Sequence, residues 1–332
     1  MNMNHKNPTM EDVARKAGVS ITTVSHVINK TRYVNKDTKE AVLEIINKLN
    51  YRSSKSTKSN DNNGNEICVG VILADVREDY YLLMMKAIET VATEYNVSVI
   101  FCDSGADYKK EEQNIKLLLD KKVNGLLLAP ADADQMPQTL KNISIPVILI
   151  DRQYESHSFF AVGINNFLSG YLGTKNLFNK QCKNIGFIGY FGPVYTIRQR
   201  IQGYKSAVME HKPTAVPKVL YLEYNGDSFP LIKQFLAEHN FDGLICATSS
   251  LCYELIEVFD TLEESAKSKI KIICFDDNRW LDYLKYPISV ISQPVVDIGN
   301  AAFENLLKLI EQSNNICNIK RELFFEVTII DR

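Results

Sequence analysis

Residues 10–29, MEDVARKAGVSITTVSHVIN, constrain the fold more than any other stretch of this chain. Val13 and Ala17 are four residues apart, so they share one face of a short first helix, and Gly18 supplies a sharp turn. Ser20 suits the N-cap of a second helix because its hydroxyl can accept a hydrogen bond from an orphan backbone amide. The pattern predicts two helices joined by a tight turn.

The second predicted helix has two faces of different character. Its packing face is apolar and comprises Val19, Val24, Val27 and Ile28. Its outer face carries Ile21, Thr22, Ser25 and His26. A recognition helix presents its outer side chains to base edges in the major groove of DNA. An ordinary surface hairpin of two helices is the alternative, and it does not explain the spacing of so many motif positions.

The charge distribution also separates the first sixty residues from the rest. Residues 1–60 contain eleven Lys and Arg against five Asp and Glu, a net charge of +6, whereas the remainder carries −8. A basic segment joined to an acidic body is expected when DNA binding is confined to one end of a chain.

Four matched segments carry a family resemblance: Asp12-Val13-Ala14, Ala17-Gly18-Val19-Ser20, Thr23-Val24-Ser25 and Ile28-Asn29. They fit the pattern D-V-A-x-x-A-G-V-S-x-x-T-V-S-x-x-[IV]-N, and the segment resembles the DNA-binding headpiece of the LacI/GalR family of bacterial repressors. A third helix is predicted at about 36–49, closing with Leu49-Asn50-Tyr51 as in that family. The resemblance implies contacts to bases or phosphates from Thr9, Ser20, Ile21, Thr22, Thr23, Ser25, His26, Asn29, Lys30, Arg32, Lys36, Tyr51 and Lys55.

A polar connector follows the headpiece. Residues 53–65, SSKSTKSNDNNGN, contain no apolar side chain, which is typical of a flexible linker at a domain boundary. We therefore expect a headpiece at 1–58, a linker at 59–66 and a body at 67–332. Ser53-Ser54 stand where the family has Pro-Asn, and Asn60 stands where it has a leucine that wedges into the minor groove. A strong central kink in the DNA is not expected without that wedge.

The body alternates short apolar strands with amphipathic helices. Predicted strands lie at 67–73, 97–102, 125–129, 147–150, 185–190, 219–224, 244–248 and 271–275. Predicted helices lie at 80–95, 109–121, 196–210, 229–238 and 251–262. This alternation favours parallel sheets wound by right-handed crossovers, and its two runs predict two similar lobes.

The fold class is therefore an all-α helix-turn-helix headpiece followed by an α/β body of two lobes with parallel sheets. The body resembles a type 1 periplasmic sugar-binding protein, in which the chain crosses three times between lobes. We expect crossings near 163–165, 289–294 and 323–326. The N-lobe would comprise about 67–163 and 293–324, and the C-lobe about 164–292 and 325–332.

Ligands of open parallel sheets bind beyond the carboxyl ends of the strands. Together with the family resemblance, that rule implies an effector site formed by Asp75, Tyr80, Tyr81, Asp151, Arg152, Arg198, Arg200, Thr248, Ser249, Asp276 and Gln293. Arg200 matches the family's ligand-clamping arginine in its R-x-x-G-[YFW] motif. Asp276 matches a carboxylate that binds sugar hydroxyls.

One departure bears on the effector's charge. Thr248-Ser249 stand where the family has Asn-Asp, so a carboxylate is lost, while Arg77, Arg152, Arg198 and Arg200 could face the cleft. Because arginine pairs strongly with carboxylate and phosphate, a sugar acid or sugar phosphate is favoured over a neutral sugar. The stretch Phe275-Asp276-Asp277-Asn278-Arg279-Trp280 also resembles the keto-deoxy-gluconate repressor branch.

These features predict a cytosolic, homodimeric regulator that binds operator DNA and represses a carbohydrate-use operon. No apolar run is long enough to cross a membrane, and residues 1–13 lack a signal-peptide core. The seven cysteines include no CxxC pair and are expected to be buried thiols, and no cofactor or metal is expected. Control by a phosphocarrier-type protein partner is the alternative. An enzyme is not expected, since neither a nucleophile elbow nor a phosphate loop is present.

Overall fold

The structure is a computed structural model that describes residues 9–29, 34–48, 67–156, 159–224, 226–311 and 322–332. The chain divides into two compact units, Met1–Glu66 and Ile67–Arg332. Several predictions lie outside the described residues: the DNA contacts Lys30, Arg32, Tyr51 and Lys55, the side chains of Asn29 and Lys36, and the linker at 53–65.

The first unit contains three helices, α1 (Met10–Ala17), α2 (Ile21–Asn29) and α3 (Lys36–Lys48). Val13, Val24, Val27 and Val42 are buried together and form its small core. Gly18 ends α1 with a left-handed φ of 66°, a conformation that glycine adopts without a steric penalty, and its amide donates to the Ala14 carbonyl. The sharp turn predicted at Gly18 is therefore present.

The body contains twelve strands among its described residues: β1 (Cys68–Leu73), β2 (Ser98–Asp103), β3 (Gly125–Leu128), β4 (Val147–Ile150), β5 (Phe160–Ile164), β6 (Ile185–Tyr190), β7 (Lys218–Leu222), β8 (Gly243–Cys246), β9 (Lys271–Phe275), β10 (Ile288–Ser292), β11 (Glu322–Phe325) and β12 (Thr328–Ile330). Its described helices are α4 (Asp79–Glu94), α5 (Tyr108–Asp120), α6 (Gln138–Lys141), α7 (Asn166–Asn179), α8 (Tyr195–His211), α9 (Phe229–Glu238), α10 (Ser249–Phe259), α11 (Glu264–Lys267) and α12 (Val295–Glu311).

The strands form two six-stranded sheets, ordered β11-β5-β4-β3-β1-β2 in the N-lobe and β12-β10-β9-β8-β6-β7 in the C-lobe. Every neighbouring pair is parallel except β10 and β12, which run antiparallel. The prediction of parallel sheets therefore holds with one exception. β12 follows β11 of the other sheet after residues 326–327 alone, so the chain enters the second sheet at the edge where its parallel strands end and runs in the opposite direction.

The chain passes between the lobes at residue 165, at 293–294 and at 326–327. After the second crossing, α12 returns to the N-lobe and packs on α4. The predicted strands at 147–150, 185–190 and 271–275 and the helix at 229–238 match the observed bounds, and the other predicted elements differ by at most three residues at either end. The strands β5, β10, β11 and β12 and the helices α7, α11 and α12 were not predicted.

The cysteine prediction is correct for four thiols and wrong for two. Cys182, Cys246, Cys252 and Cys274 are buried, whereas Cys68 and Cys102 are only half-buried. Cys68 begins β1 and Cys102 lies on β2, the outermost strand of its sheet, so neither is covered on all sides. Among the described residues, no helix is both long and apolar enough to span a membrane.

Candidate functional site

Hydroxyl groups cap the start of the second helix of the headpiece. The Thr23 amide donates to Ser20 Oγ at 3.1 Å, and the two hydroxyls lie 2.8 Å apart. Thr9 and Asp12 form a capping box at the start of α1, with 2.9 Å from the Thr9 amide to the carboxylate. Ser20, Thr23 and Thr9 were predicted to contact DNA. In the structure their hydroxyl groups form hydrogen bonds at the starts of α2 and α1 instead.

The outer face of α2 is less uniform than its pattern suggests. Ile21, with 47% of its surface accessible, and Thr22 are exposed, whereas Thr23, Ser25 and His26 are half-buried. Residues 21 and 22 occupy the first turn of the helix, the part from which a recognition helix reaches base edges. Among the predicted contacts on this helix whose side chains the structure describes, Ile21 and Thr22 are therefore the most accessible.

The body contains a cavity of about 190 Å³ between the carboxyl ends of the strands of its two lobes. It is lined by eight of the eleven residues predicted for the effector site: Tyr80, Tyr81, Asp151, Arg152, Arg200, Thr248, Asp276 and Gln293. Tyr80 and Tyr81 come from α4, and the others come from the loops after β4, β8 and β9, from α8 and from the second crossing. The structure thus brings together side chains from both lobes.

Asp151 and Asp276 occupy equivalent positions in the two lobes. Each follows a strand, has a left-handed φ (61° and 70°), and donates its amide to a carbonyl of the next strand, at 3.0 and 3.1 Å. The Tyr81 hydroxyl donates to Asp151 Oδ2 at 2.6 Å, and Gln293 Nε2 donates to Asp276 Oδ1 at 2.7 Å. Strain of this kind persists where surrounding contacts hold it, and here it turns one carboxylate per lobe towards the cavity.

Arg200 is buried and fixed by contacts within the C-lobe. Its Nε donates to Asn166 Oδ1 at 2.8 Å and its Nη1 to the Ala247 carbonyl at 2.6 Å, while the guanidinium lies 3.7 Å from the centroid of the Phe275 ring. Burial lowers the pKa of Arg200, and Asp276 opposes that shift. The rigid placement suits a side chain that must present a cation in one direction.

The glycine of the R-x-x-G-[YFW] motif explains how Arg200 reaches that position. A Cβ on Gly203 would lie 1.9 Å from the Phe167 carbonyl oxygen, and one on Gly170 would lie 2.1 Å from the Arg200 carbonyl oxygen. Glycine at both positions lets α7 and α8 cross in close contact. That contact places Arg200 beside Asn166 at the start of α7.

Arg152 is the second arginine that lines the cavity among the described residues, and its donors are poorly satisfied. Its Nε is 3.7 Å from Asp151 Oδ2, beyond hydrogen-bonding distance. Neither Nε nor Nη1 has a hydrogen-bond partner in the described part of the chain, and the side chain is 13% exposed. Buried donors without a partner are costly, so a ligand oxygen that accepted from them would stabilise the site.

Four carboxylates face these two arginines: Glu78, Asp132, Asp151 and Asp276. Burial raises the pKa of Asp276 to about 6, although Arg200 and Gln293 favour its ionised form. Burial likewise raises the pKa of Glu78, against hydrogen bonds from Ser250 and Ser249. Protonation of either group would reduce the negative charge of the cavity.

Three predicted effector residues lie outside the cavity lining, and contacts explain each of them. Asp75 is buried and accepts hydrogen bonds from Arg77, including 2.8 Å from Nη2. Ser249 lies beside Glu78, with 3.4 Å between Ser249 Oγ and Glu78 Oε2. Arg198 donates to Asp134 in the N-lobe. The expectation that Arg77 and Arg198 face the cavity is corrected, because each pairs with a nearby carboxylate.

The cavity also has lining residues that the sequence analysis missed, namely Glu78, Tyr108, Asp132, Tyr190, Phe191, Thr196 and Tyr224. Phe191 directly follows β6, Asp132 follows β3 by a few residues, and Tyr224 follows β7. The rule that sites lie beyond the carboxyl ends of strands could have found these three. Among the described residues, no cluster of three or more His, Cys, Asp or Glu side chains is arranged to hold a metal ion.

Comparison with known proteins identifies both units. Residues 9–54 match the family of bacterial regulatory proteins called lacI, and residues 69–314 match the periplasmic binding protein domain. The HTH-type transcriptional regulator RegA of Clostridium saccharobutylicum is 28% identical over 314 residues, which cover 92% of this chain and 93% of that protein. The ribose operon repressor of Haemophilus influenzae is 28% identical over 309 residues, with the same shares covered.

The fold likeness extends to a solved complex. The lac repressor dimer bound to operator and the anti-inducer ONPF aligns with a TM-score of 0.76 at 19% identity, covering 98% of each chain. Because the identity is 19%, this alignment shows a shared fold alone.

Proposed function

The chain belongs to the LacI family of bacterial regulatory proteins, with a periplasmic-binding-protein domain as its body, and on that premise we propose that it is a homodimeric repressor of a carbohydrate-use operon. DNA-binding transcriptional regulation is the function of the family. The operon class is supported by relatives such as the ribose operon repressor. Two headpieces of a dimer would address two half-sites of one operator.

The effector is a sugar acid or a sugar phosphate, and the observation that carries this choice is the pair of unpartnered donors on Arg152. Oxygens of a carboxylate or phosphate would accept hydrogen bonds from these donors, and their negative charge makes such bonds to a guanidinium strong. The carboxylates of Asp151 and Asp276 would accept hydrogen bonds from hydroxyls of the same ligand. Because the pKa values of Asp276 and Glu78 are raised, these groups are protonated more readily, which lowers the repulsion that an anionic effector meets as the pH falls.

Effector binding would act on DNA binding through the two lobes. A ligand held by Arg152 and Tyr81 of the N-lobe and by Arg200 and Asp276 of the C-lobe favours one relative arrangement of the lobes. The effector must prefer one state of the repressor for this to change operator affinity, and a coupling of roughly 1–3 kcal/mol is usual.

The test is fluorescence anisotropy of the purified full chain on labelled DNA from upstream of its own gene, with excess competitor DNA. A panel of sugars, sugar acids and sugar phosphates is then titrated into the complex. We expect release by an acidic sugar, and we expect Arg152→Gln to weaken that response about 100-fold or more, as loss of a buried charged contact does. Arg279→Gln is the matched control, since Arg279 is exposed and lies outside the cavity lining.

The other outcomes separate the rival functions. Release by neutral sugars alone would keep the repressor and overturn the anionic effector. An unchanged complex across the panel would favour the alternative, in which a phosphocarrier-type protein partner controls DNA binding. Absence of specific DNA binding would overturn the proposal as a whole.

A further inference from the structure

We propose that a groove outside the effector cavity is a second subsite, which binds another sugar unit and makes the natural effector a disaccharide or larger glycoside. This groove, the outer groove, is lined by Gln135 of the N-lobe and by Phe191, Gln199, Gln202 and Tyr221 of the C-lobe. The inference rests on the proposed function, because it extends the same effector site.

The outer groove borders the cavity, and the two spaces share part of their lining. Phe191 and Pro193 line both spaces, as do Asp132 and Tyr190. The groove has a volume of about 640 Å³, against about 190 Å³ for the cavity. A ligand unit bound in the cavity could therefore continue past Phe191 into the larger space through a glycosidic bond.

The chemistry of the groove fits a sugar ring. Phe191 is 74% exposed and Tyr221 is 45% exposed, so both present aromatic surface to solvent. Exposed aromatic surface beside a binding cavity indicates a contact surface, and the apolar face of a sugar ring is a suitable partner for it. The side-chain amides of Gln135, Gln199 and Gln202 supply both donors and acceptors for hydroxyl groups.

Backbone contacts hold the aromatic wall in place. The Phe191 amide donates to the Leu222 carbonyl at 2.7 Å, which joins the end of β6 to the end of β7. Tyr221 lies on β7 in register with Gly189 of β6. Because the backbone at both positions is fixed by strand pairing before a ligand arrives, little backbone order has to be imposed on binding.

A unit in the outer groove would touch both lobes. Gln135 belongs to the loop after β3, where its Nε2 donates to Asp132 Oδ2 at 2.9 Å, and Gln199 and Gln202 lie on α8. The pair formed by Asp134 and Arg198 joins the lobes beside them. The second unit would therefore strengthen the same arrangement of the lobes that the first unit favours.

The experiment compares matched ligand pairs by isothermal titration calorimetry on the full chain. The pairs are galacturonate with digalacturonate and glucose with cellobiose, so that charge and length vary separately. We expect one disaccharide to bind at least about tenfold more tightly than its monosaccharide, as one well-placed aromatic contact provides. Tyr221→Ala should remove that excess and leave monosaccharide affinity unchanged, because Tyr221 is absent from the cavity lining.

Tyr253→Ala is the matched control, since Tyr253 is 56% exposed on the same lobe and lines neither space. Equal affinity for the two members of each binding pair, unaltered by Tyr221→Ala, would overturn the second subsite and keep the sugar effector. No binding of any of the four sugars, with operator binding intact, would overturn a second subsite for glucosides and galacturonides, whereas the anisotropy panel decides separately whether the effector is a sugar. An equal loss in the Tyr253→Ala protein would assign the effect to general destabilisation and reject the subsite.

Discussion

Arg198 of α8 and Asp134 of the loop after β3 form a two-point ion pair that joins the lobes of the body. Nη1 to Oδ1 and Nη2 to Oδ2 are both 2.7 Å, and Glu155 lies 3.8 Å from Nη1. The same side of the cleft has a backbone hydrogen bond of 2.7 Å from Ala133 to Pro193. Ser250 and Glu78 provide a further contact between the lobes, at 2.7 Å. Polar contacts thus hold the cleft shut.

Removing the Arg198 pair should open the cleft. We expect Arg198→Gln to increase the radius of gyration measured by small-angle X-ray scattering in the absence of effector, because it removes the two-point ion pair and leaves fewer contacts between the lobes. The double variant Arg198→Asp with Asp134→Arg should restore the wild-type value. Lys175→Gln breaks an ion pair with Glu210 within the C-lobe and serves as the control. Identical scattering from Arg198→Gln and wild type would show that this pair does not set the closure.

Effector affinity should depend on the protonation of Asp276. The pKa of this carboxyl is raised to about 6, so it is ionised at pH 8 and protonated at pH 5. Protonation removes a negative charge, and the affinity for an anionic sugar should therefore rise as the pH falls through about 6. Calorimetric titration across this range measures how steeply effector affinity depends on pH, and Asp276→Asn should remove that dependence. Asp120→Asn is the control, because Asp120 lies at the exposed end of α5, and this variant should keep the pH dependence of the wild type. A flat wild-type profile would contradict the prediction.

Glu111 should make folding stability depend on pH. It is fully buried, accepts from the Ala131 amide at 2.5 Å and from the Tyr154 hydroxyl at 2.7 Å, and burial raises its pKa from 4.5 to about 7. The folded state therefore binds this proton more tightly than the unfolded state. The resulting stabilisation is fully present below about pH 4.5 and is lost as the pH rises through about 7.

The size of this effect follows from the two pKa values. At about 1.4 kcal/mol per pH unit, the free energy of unfolding should fall by roughly 3 kcal/mol between pH 4.5 and 7.5. Urea unfolding at several pH values measures it, and the difference between wild type and Glu111→Gln isolates this group. If the two proteins show the same pH dependence of the unfolding free energy, Glu111 is not the titrating group.

Gly203→Ala should destabilise the body and disturb Arg200. The added methyl would meet the Phe167 carbonyl oxygen at 1.9 Å, so α7 and α8 would have to separate. Overpacking of this kind costs about 1–3 kcal/mol and sometimes more, which urea unfolding can resolve. Gln202→Ala is the control, because Gln202 is the exposed neighbour on the same helix. Unfolding free energies that agree for both variants would refute the close-crossing argument.

Thr22→Ala should weaken operator binding without affecting the headpiece fold. Thr22 is exposed on the first turn of α2, and the loss of one base contact costs about 1–3 kcal/mol. Affinity for competitor DNA should be unchanged, since binding without sequence preference depends on phosphate contacts. Anisotropy titrations with both DNAs check this. Equal losses on operator and competitor would place Thr22 at the phosphate backbone.

The sequence alone determined the local secondary structure and the edge of the sheets at which the candidate effector site lies. The turn at Gly18, the cap at Ser20 and strands such as β9 follow from conformational preference and apolar spacing within a few residues, so they were predictable. Asp151, Asp276 and Arg200 were also found from their motifs, because parallel strands direct the loops at their carboxyl ends towards a common cleft.

Only the tertiary structure decided which charged groups remain available. Arg198 is separated by 64 residues from Asp134, the carboxylate that pairs with it, and no local pattern announces such a partner. Both Arg152 and Arg198 were predicted to line the cleft. Folding left Nε and Nη1 of Arg152 without hydrogen-bond partners in the described part of the chain, whereas Arg198 is paired with Asp134. Pairing depends on distances between side chains brought together by folding, whereas strand and helix preferences act along the chain.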